Sequence, residues 1–276
     1  MPVLLTASSG RIKAARKLAD RRFRKQTGHF LIEGPQLLSE AHGVPGAVRE
    51  VFATPEAAER YAELRDASPV DWQLADPGAV ASLSDTVTPT GVVASCTTEA
   101  VLRPFSDVLA GPASLVVVCA DIRDPGNAGT IIRCADAVGA DAVVFAGNSV
   151  DPLNAKAIRS TVGSLFHLPL CVEVGVPEAI AALKRRGLTV LGADGAGETS
   201  LFDADPLLTG PVAWVFGNEA WGLPDEVAAA SDELIRIPIL GAAESLNLAT
   251  AASVCLYATI RARHAVSVDL DPRAAE

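Results

Sequence analysis

The chain has 276 residues, of which 49% are apolar and 20% charged; 23 Lys+Arg face 33 Asp+Glu, a formal charge of −10. This composition excludes a mainly disordered chain, which could not bury enough apolar surface to offset its ordering entropy. The acidic balance argues against a generic polybasic nucleic-acid or membrane binder, and the length allows one large domain or two ordinary ones.

The longest apolar runs, such as Leu115 to Ala120 and Val212 to Phe216, are far too short to span a bilayer. The first thirty residues are basic and polar rather than of signal-peptide type, so a cytoplasmic protein is expected. Five widely spaced cysteines read as buried thiols rather than disulfides. The four histidines stand apart from them, and no metal site is expected.

Charge is unevenly spread along the chain. Arg11, Lys13, Arg16, Lys17, Arg21, Arg22, Arg24 and Lys25 form a run opposed only by Asp20, which leaves 15 basic and 32 acidic residues elsewhere. Ile12, Ala15, Leu18 and Ala19 recur at helical spacing, so the run predicts a basic helix with an apolar stripe. Such a face suits a phosphate backbone, bound by counterion release. Composition is equally consistent with a solvated helix surface.

A strand is predicted at His29 to Ile32, then a turn at Glu33-Gly34-Pro35 and a helix from Gln36 to His42. Val48 to Ala53 reads as a strand, and Pro55 to Ala67 as one helix with Thr54 as cap and proline at its first position. Asp71 to Leu74 and Thr90 to Ser95 read as short strands. The stretch from Thr97 to Pro112 has no clear period and predicts a domain boundary, placed between residues 105 and 106. Beyond it, strands are predicted at Leu115 to Ala120, Ala142 to Ala146, Leu168 to Val172, Thr189 to Ala193, Val212 to Phe216 and Glu233 to Ile237. Helices are predicted at Ala128 to Val138, Asn154 to Val162, Pro177 to Arg186, Asp225 to Ala230 and Leu246 to Arg263. Alternating units of this kind imply an α/β fold with a mostly parallel sheet and helices on both faces.

The phosphate loop, the dinucleotide fingerprint and the Gly-x-Ser-x-Gly elbow are all missing. Instead, three loops carry polar groups that a plain connection does not need. The first is Asp124-Pro-Gly-Asn127-Ala-Gly-Thr-Ile-Ile-Arg133, with Asn127 placed to cap a helix and Arg133 among apolar neighbours. An arginine there is costly unless it meets a carboxylate or phosphate. The second is Gly217-Asn218-Glu219-Ala220-Trp221-Gly222, and the third runs from Ile237 to Glu244-Ser245-Leu246-Asn247. A fourth, weaker feature is the glycine-rich strand end Gly192-Ala193-Asp194-Gly195. Taken singly, each has a structural reading: Asn127, Ser245 and Asn247 as helix caps, Glu219 and the glycines as turn residues.

In this order, the three loops resemble the three motifs of the SpoU (TrmH) family of RNA ribose 2′-O-methyltransferases in the SPOUT superfamily, over about Leu115 to Ala262. Gly28-His-Phe-Leu-Ile-Glu-Gly34 and Thr90-Gly-Val-Val-Ala94 are similar to that family's small L30e-like substrate-binding domain. The resemblance implies an N-terminal RNA-binding domain over 1–105 and a catalytic domain over 106–276, with Val212 to Arg263 threaded into a trefoil knot. It implies S-adenosylmethionine as cofactor, held at Leu191, Gly192, Ala193, Gly195, Gly217, Asn218, Gly222, Ile237 and Leu246. The catalytic set it implies is Arg133, Asn127, Glu219, Ser245 and Asn247, and the basic run Arg11 to Lys25 becomes the RNA-binding face, helped by Arg133, Lys156 and Arg159. Homodimerisation through the last apolar helix is also implied. By analogy, the extra N-terminal domain favours 23S rRNA over tRNA as substrate. Ala220 stands where the family often has glycine, with a bulky Trp221 after it. A tRNA methyltransferase, or a non-catalytic ribosome-assembly factor keeping the fold, are the alternatives.

Overall fold

The computed structural model describes residues 4–270, with side chains described as far as residue 265. Residues 1–3 and 271–276, which the expected domain ranges include, lie outside the described residues. The elements in chain order are α1 (Gly10–Lys17), α2 (Arg21–Thr27), β1 (His29–Glu33), α3 (Pro35–His42), β2 (Val48–Ala53), α4 (Pro55–Arg60), α5 (Ala62–Asp66), β3 (Trp72–Leu74), α6 (Pro77–Ala81), β4 (Val92–Thr97), α7 (Phe105–Ala110), β5 (Leu115–Ala120), α8 (Pro125–Ala137) and β6 (Ala142–Ala146). There follow α9 (Ala155–Thr161), β7 (Leu170–Val174), α10 (Val176–Arg185), β8 (Thr189–Ala193), β9 (Thr199–Ser200), α11 (Asp205–Leu208), β10 (Val212–Phe216), α12 (Asp225–Ala230), β11 (Glu233–Arg236) and α13 (Leu248–Leu270).

They form two compact units, Met1–Leu102 with Leu153–His167, and Arg103–Pro152 with Leu168–Glu276. The expected boundary at residue 105 is thus moved to 102/103. The segment 153–167, expected in the second domain, belongs to the first unit. There Phe166 stacks on Phe30 at 6.4 Å, and Glu40 meets His167 at 3.2 Å.

In the first unit the sheet runs β1-β4-β2-β3, antiparallel except for β2 with β3. Ile12 and Ala15 of α1 pack with Phe52, Ala79, Val80 and Val93, so the predicted apolar stripe does face a core. The single basic helix does not form. Asp20 ends it, because its carboxylate accepts the Arg22 N–H at 2.7 Å and caps a second helix. Likewise the predicted helix from Pro55 to Ala67 breaks at Tyr61, which leaves the helical region at φ −109°, ψ 38°.

In the second unit seven strands run β7-β6-β5-β10-β8-β11-β9, and every pairing is parallel. The central strands β5, β6 and β10 are buried along their whole length. This explains their unbroken apolar sequences, since both faces lie under helices. Parallel strands bring the loops after β5, β8, β10 and β11 to one edge of the sheet, where ligands bind in such folds. α7 occupies the expected linker, and α13 starts at Leu248 rather than Leu246.

One polar contact is sealed within this core. The indole N–H of fully buried Trp214 donates to Thr259 Oγ1 at 2.9 Å, and the hydroxyl in turn donates to Cys255 O. Thr259→Val keeps the shape but strands the indole N–H, so urea unfolding should show a loss of about 1–3 kcal/mol.

Candidate active site

The first site loop follows β5. Asp121 takes a left-handed conformation at φ 57°, and three residues later Asp124 caps α8 by accepting the Asn127 N–H at 2.9 Å. The cap is therefore Asp124 and not Asn127, as the sequence suggested. Pro125 starts the helix and Asn127 lies in its first turn, which frees the Asn127 side chain for longer-range contacts.

The second loop, after β10, is a tight turn. Asn218 N donates to Gly222 O at 2.9 Å, and Gly222 N to Asn218 O at 3.0 Å. A Cβ at Gly217 would sit 2.3 Å from the Gly222 carbonyl oxygen, and Gly222 has φ +69°, so both positions need glycine. The Asn218 side chain is turned back to tie the first loop, donating to Asp121 O at 2.8 Å.

Glu219 joins the loops. Its carboxylate accepts from Arg123 N at 3.1 Å, Asp124 N at 3.0 Å and Asn127 Nδ2 at 3.1 Å. Asn127 Oδ1 accepts from Asn247 Nδ2 at 3.0 Å, and Asn247 Oδ1 caps α13 through Ala249 N at 2.9 Å. A continuous hydrogen-bonded chain thus runs from Glu219 through Asn127 to Asn247. Burial pushes the Glu219 pKa up, but the hydrogen bonds from Asn127, Asp124, its own backbone and Arg123 outweigh this and hold it below the ordinary carboxylate range.

Beside this chain lies a cleft of roughly 320 Å³, at the lower end of the ~300–1,000 Å³ typical of small-molecule sites. Of the expected cofactor residues, Ala193, Gly195, Asn218, Gly222, Ile237 and Leu246 line it. Leu191, Gly192 and Gly217 lie in the strands and turn that carry those loops, with Leu191 fully buried. Glu219 and Ser245 also line the cleft, and Asn127 and Asn247 join it through their hydrogen bonds. Two carboxylates missed from the sequence, Asp194 and Glu244, add acidity to the wall. Their placement inside the glycine-rich strand end and directly before Ser245 was the available signal.

Arg133 stands apart. It is an exposed side chain on α8, six residues or about 9 Å beyond Asn127. Among the described residues no hydrogen bond or ion pair engages it, so the carboxylate partner expected from its apolar neighbours does not exist. Of the expected RNA-binding residues, Arg11, Lys13, Arg16, Lys17, Arg21, Arg22 and Lys25 are exposed. Arg24 is only 6% exposed, and its guanidinium donates to the carbonyls of Leu18 and Ala19 at 2.9 and 2.8 Å. It ties the α1–α2 corner and does not belong to the basic face. Lys156 and Arg159, expected near the catalytic loops, belong to the first unit, where Arg159 pairs with Asp85. Four of the five cysteines are buried free thiols as expected, burial alone pushing Cys255 up to about 12, whereas Cys134 is half-buried. No helix among the described residues is long and apolar enough to cross a membrane.

The SpoU rRNA Methylase family model matches residues 114–257, and the MRM3-like substrate binding domain model matches residues 10–94. The chain is 33% identical over 261 residues to the 23S rRNA (guanosine(2553)-2′-O)-methyltransferase RlmP of Bacillus subtilis, covering 93% of this chain and 98% of that one. It is 39% identical over 145 residues to the 23S rRNA (uridine(2479)-2′-O)-methyltransferase of Streptomyces viridochromogenes, half of each chain. Among solved structures it is similar to the SpoU methyltransferase AviRb of S. viridochromogenes in complex with AdoMet, with TM-score 0.83, 29% identity and coverage of 93% and 98%. An AdoMet-bound rRNA methyltransferase of Sinorhizobium meliloti gives TM-score 0.82 at 28% identity, covering 94% and 97%.

The depressed pKa of Glu219 has a definite sign in stability. Its ionised form is favoured in the folded state, so its contribution is fully present above the unfolded carboxylate pKa of about 4.3 and is lost as pH falls through the lower folded value. Glu219→Gln should therefore lower the urea midpoint at pH 7, and its deficit against the parent should shrink below about pH 4.

Proposed function

The chain belongs to the SpoU rRNA methylase family, and on that premise we propose that it transfers a methyl group from S-adenosylmethionine to a ribose 2′-hydroxyl of ribosomal RNA. The observation that carries this reading is the Glu219–Asn127–Asn247 chain, which locks three loops of separate origin around one acidic, glycine-walled cleft. The cleft fits the cofactor. Gly195 leaves open space beside its backbone, Ile237, Leu246 and Leu248 offer an apolar wall, and Asp194, Glu219 and Glu244 place negative charge where a cationic ligand would lie. When bound, S-adenosylmethionine supplies an electrophilic methyl on a sulfonium.

The chain's own residues divide the remaining work. Arg133 has all five N–H donors uncommitted, the fork geometry that holds a phosphate and polarises a neighbouring hydroxyl. A guanidinium has donors and no acceptor, so it is a poor proton acceptor and positioning supplies most of its effect. Glu219 is ionised but already accepts from three N–H groups of other residues, so it positions Asn127 and the first loop rather than taking the hydroxyl proton. Ser245, exposed at the cleft wall, is available to the substrate.

The same reading includes a domain division near residues 102–105, a trefoil knot over Val212 to Arg263, a homodimer and a cytoplasmic location. Support for the dimer comes from exposed apolar side chains of the second unit, with Leu240 at 88%, Trp221 at 60% and Tyr257 at 56% exposure. The exposed cations of α1 and α2 supply the electrostatic attraction to RNA.

Arg133→Ala should leave S-adenosylmethionine affinity, measured by calorimetry, within about twofold, and should slow methyl transfer to unmodified RNA by roughly 10²–10⁴-fold. Near-normal turnover would remove Arg133 from the site. Replacing Arg21, Arg22 and Lys25 by alanine should weaken RNA binding and lower the slope of log K against log salt by about 0.7–0.9 per lost phosphate contact. Arg24→Ala should instead lower the melting temperature, because it breaks the buried corner.

A further inference from the structure

The first unit holds a cavity that the catalytic loops do not use. It measures roughly 200 Å³, larger than the ~150 Å³ cavity that admits one benzene ring. Five separate elements wall it: the α1–α2 corner, strands β1 and β4, the loop after α6, and α9. Its inner lining is apolar, from Leu31, Val93, Leu153 and Ile158.

Its polar lining is charged and only partly satisfied. Arg16 uses one N–H on Ser82 Oγ at 2.7 Å and reaches Ala7 O at 3.5 Å, which leaves donors of its guanidinium over. Arg159 forms a two-point pair with Asp85, its second contact at 3.2 Å, and likewise keeps spare N–H groups. Each Asp85 oxygen retains a lone pair. Glu33 accepts from Ser84, Thr86 and the Thr90 N–H, three donors for about four acceptor sites. An apolar slot edged by spare cationic donors and spare carboxylate acceptors is an unusual thing to leave in a small domain. Arg16 also belongs to the exposed basic face of α1, so the slot opens where an RNA backbone would be drawn.

We propose that this cavity takes one unpaired nucleotide of the RNA substrate, its base in the apolar slot with an amino-bearing edge read by Asp85 and Glu33, and its phosphate held by Arg16 and Arg159. The proposal rests on the methyltransferase reading and deepens it by naming how the RNA is registered away from the reacting ribose. Single-stranded nucleotides are recognised in this manner, with the base splayed out, stacked on apolar or guanidinium surfaces and hydrogen-bonded along its edge. Guanine, adenine and cytosine carry the required amino group, whereas uracil does not.

The test is ultraviolet crosslinking of the full-length protein to total RNA from cells lacking it, with RNA adducts mapped by mass spectrometry. Adducts are expected on the peptides holding Ser82 to Asp85 or Leu153 to Arg159. Asp85→Asn removes a negative charge, so simple electrostatic attraction would tighten RNA binding, whereas the proposed edge contact weakens it by roughly 5- to 100-fold. Ile158→Trp, which fills the slot, should also weaken RNA binding, with S-adenosylmethionine affinity unchanged in both variants. Adducts confined to residues outside the cavity lining, in a wild-type protein that still methylates RNA, would overturn the cavity assignment alone. Tighter or unchanged RNA binding by Asp85→Asn would do the same, as would uptake of free GMP, AMP or CMP without any RNA adduct at the cavity. A wild-type protein that neither crosslinks to nor methylates RNA would overturn the function reading and this one together.

Discussion

Glu219 is the point on which the second unit's loops depend. Its carboxylate stays exposed to solvent on one side and is met on the other by three donors: two backbone N–H groups from the loop after β5 and the Asn127 amide. Solvent screens these bonds, so their effect lies in orienting the loop more than in a large gain in stability. The donors lie more than ninety residues away in sequence. The contact therefore orders two loops that would otherwise drift independently. Through Asn127 the same order passes to Asn247 and hence to the start of α13.

That arrangement is possible only because the sheet is parallel. Parallel pairing turns the carboxyl ends of β5, β8, β10 and β11 to one edge, so four loops separated in sequence meet without any strand carrying a polar site residue. The strands are then left free to be wholly apolar, and Trp214 can fill the centre with its one polar atom satisfied by Thr259. Tight turns do the rest. Gly217 and Gly222 let the second loop double back so closely that no side chain fits between its strands, which aims Glu219 at the first loop.

What the sequence made legible follows the same physics. β5, β6 and β10 are found at the predicted residues because a two-sided burial leaves an unbroken apolar run. The loops were legible as chemistry because their polar residues had no local structural need. Other features depend on contacts that sequence spacing does not reveal. Arg24 looks like its seven basic neighbours, yet the turn at Asp20 folds it inward onto two carbonyls. Asp20 itself carries a cap signal that the continuous basic run obscured. The segment 153–167 reads as one more crossover of the parallel sheet, but Phe166 and His167 pack with β1 and α3. Asn127 looked like a cap because asparagine and aspartate both serve as caps, and no local pattern separates it from Asp124, which holds that place.

The net charge of −10 now resolves into parts with different tasks. Seven exposed cations cluster on α1 and α2, while the cofactor cleft is lined by Asp194, Glu219 and Glu244. A polyanion and a cationic cofactor are drawn by opposite potentials. The basic residues of α1 and α2 belong to the first unit and the carboxylates of the cleft to the second. On the proposed reading, charge draws RNA in without selecting among sequences, since phosphate contacts position but carry no sequence information. Selection must then come from side chains that meet a base edge, and such a set needs acceptors as well as cations. Among the polar groups of the first unit, Asp85 and Glu33 beside Arg16 and Arg159 supply that mixture around an apolar slot. Under the proposed cavity reading the acidic residues there take part in RNA recognition, although by charge alone they would oppose it.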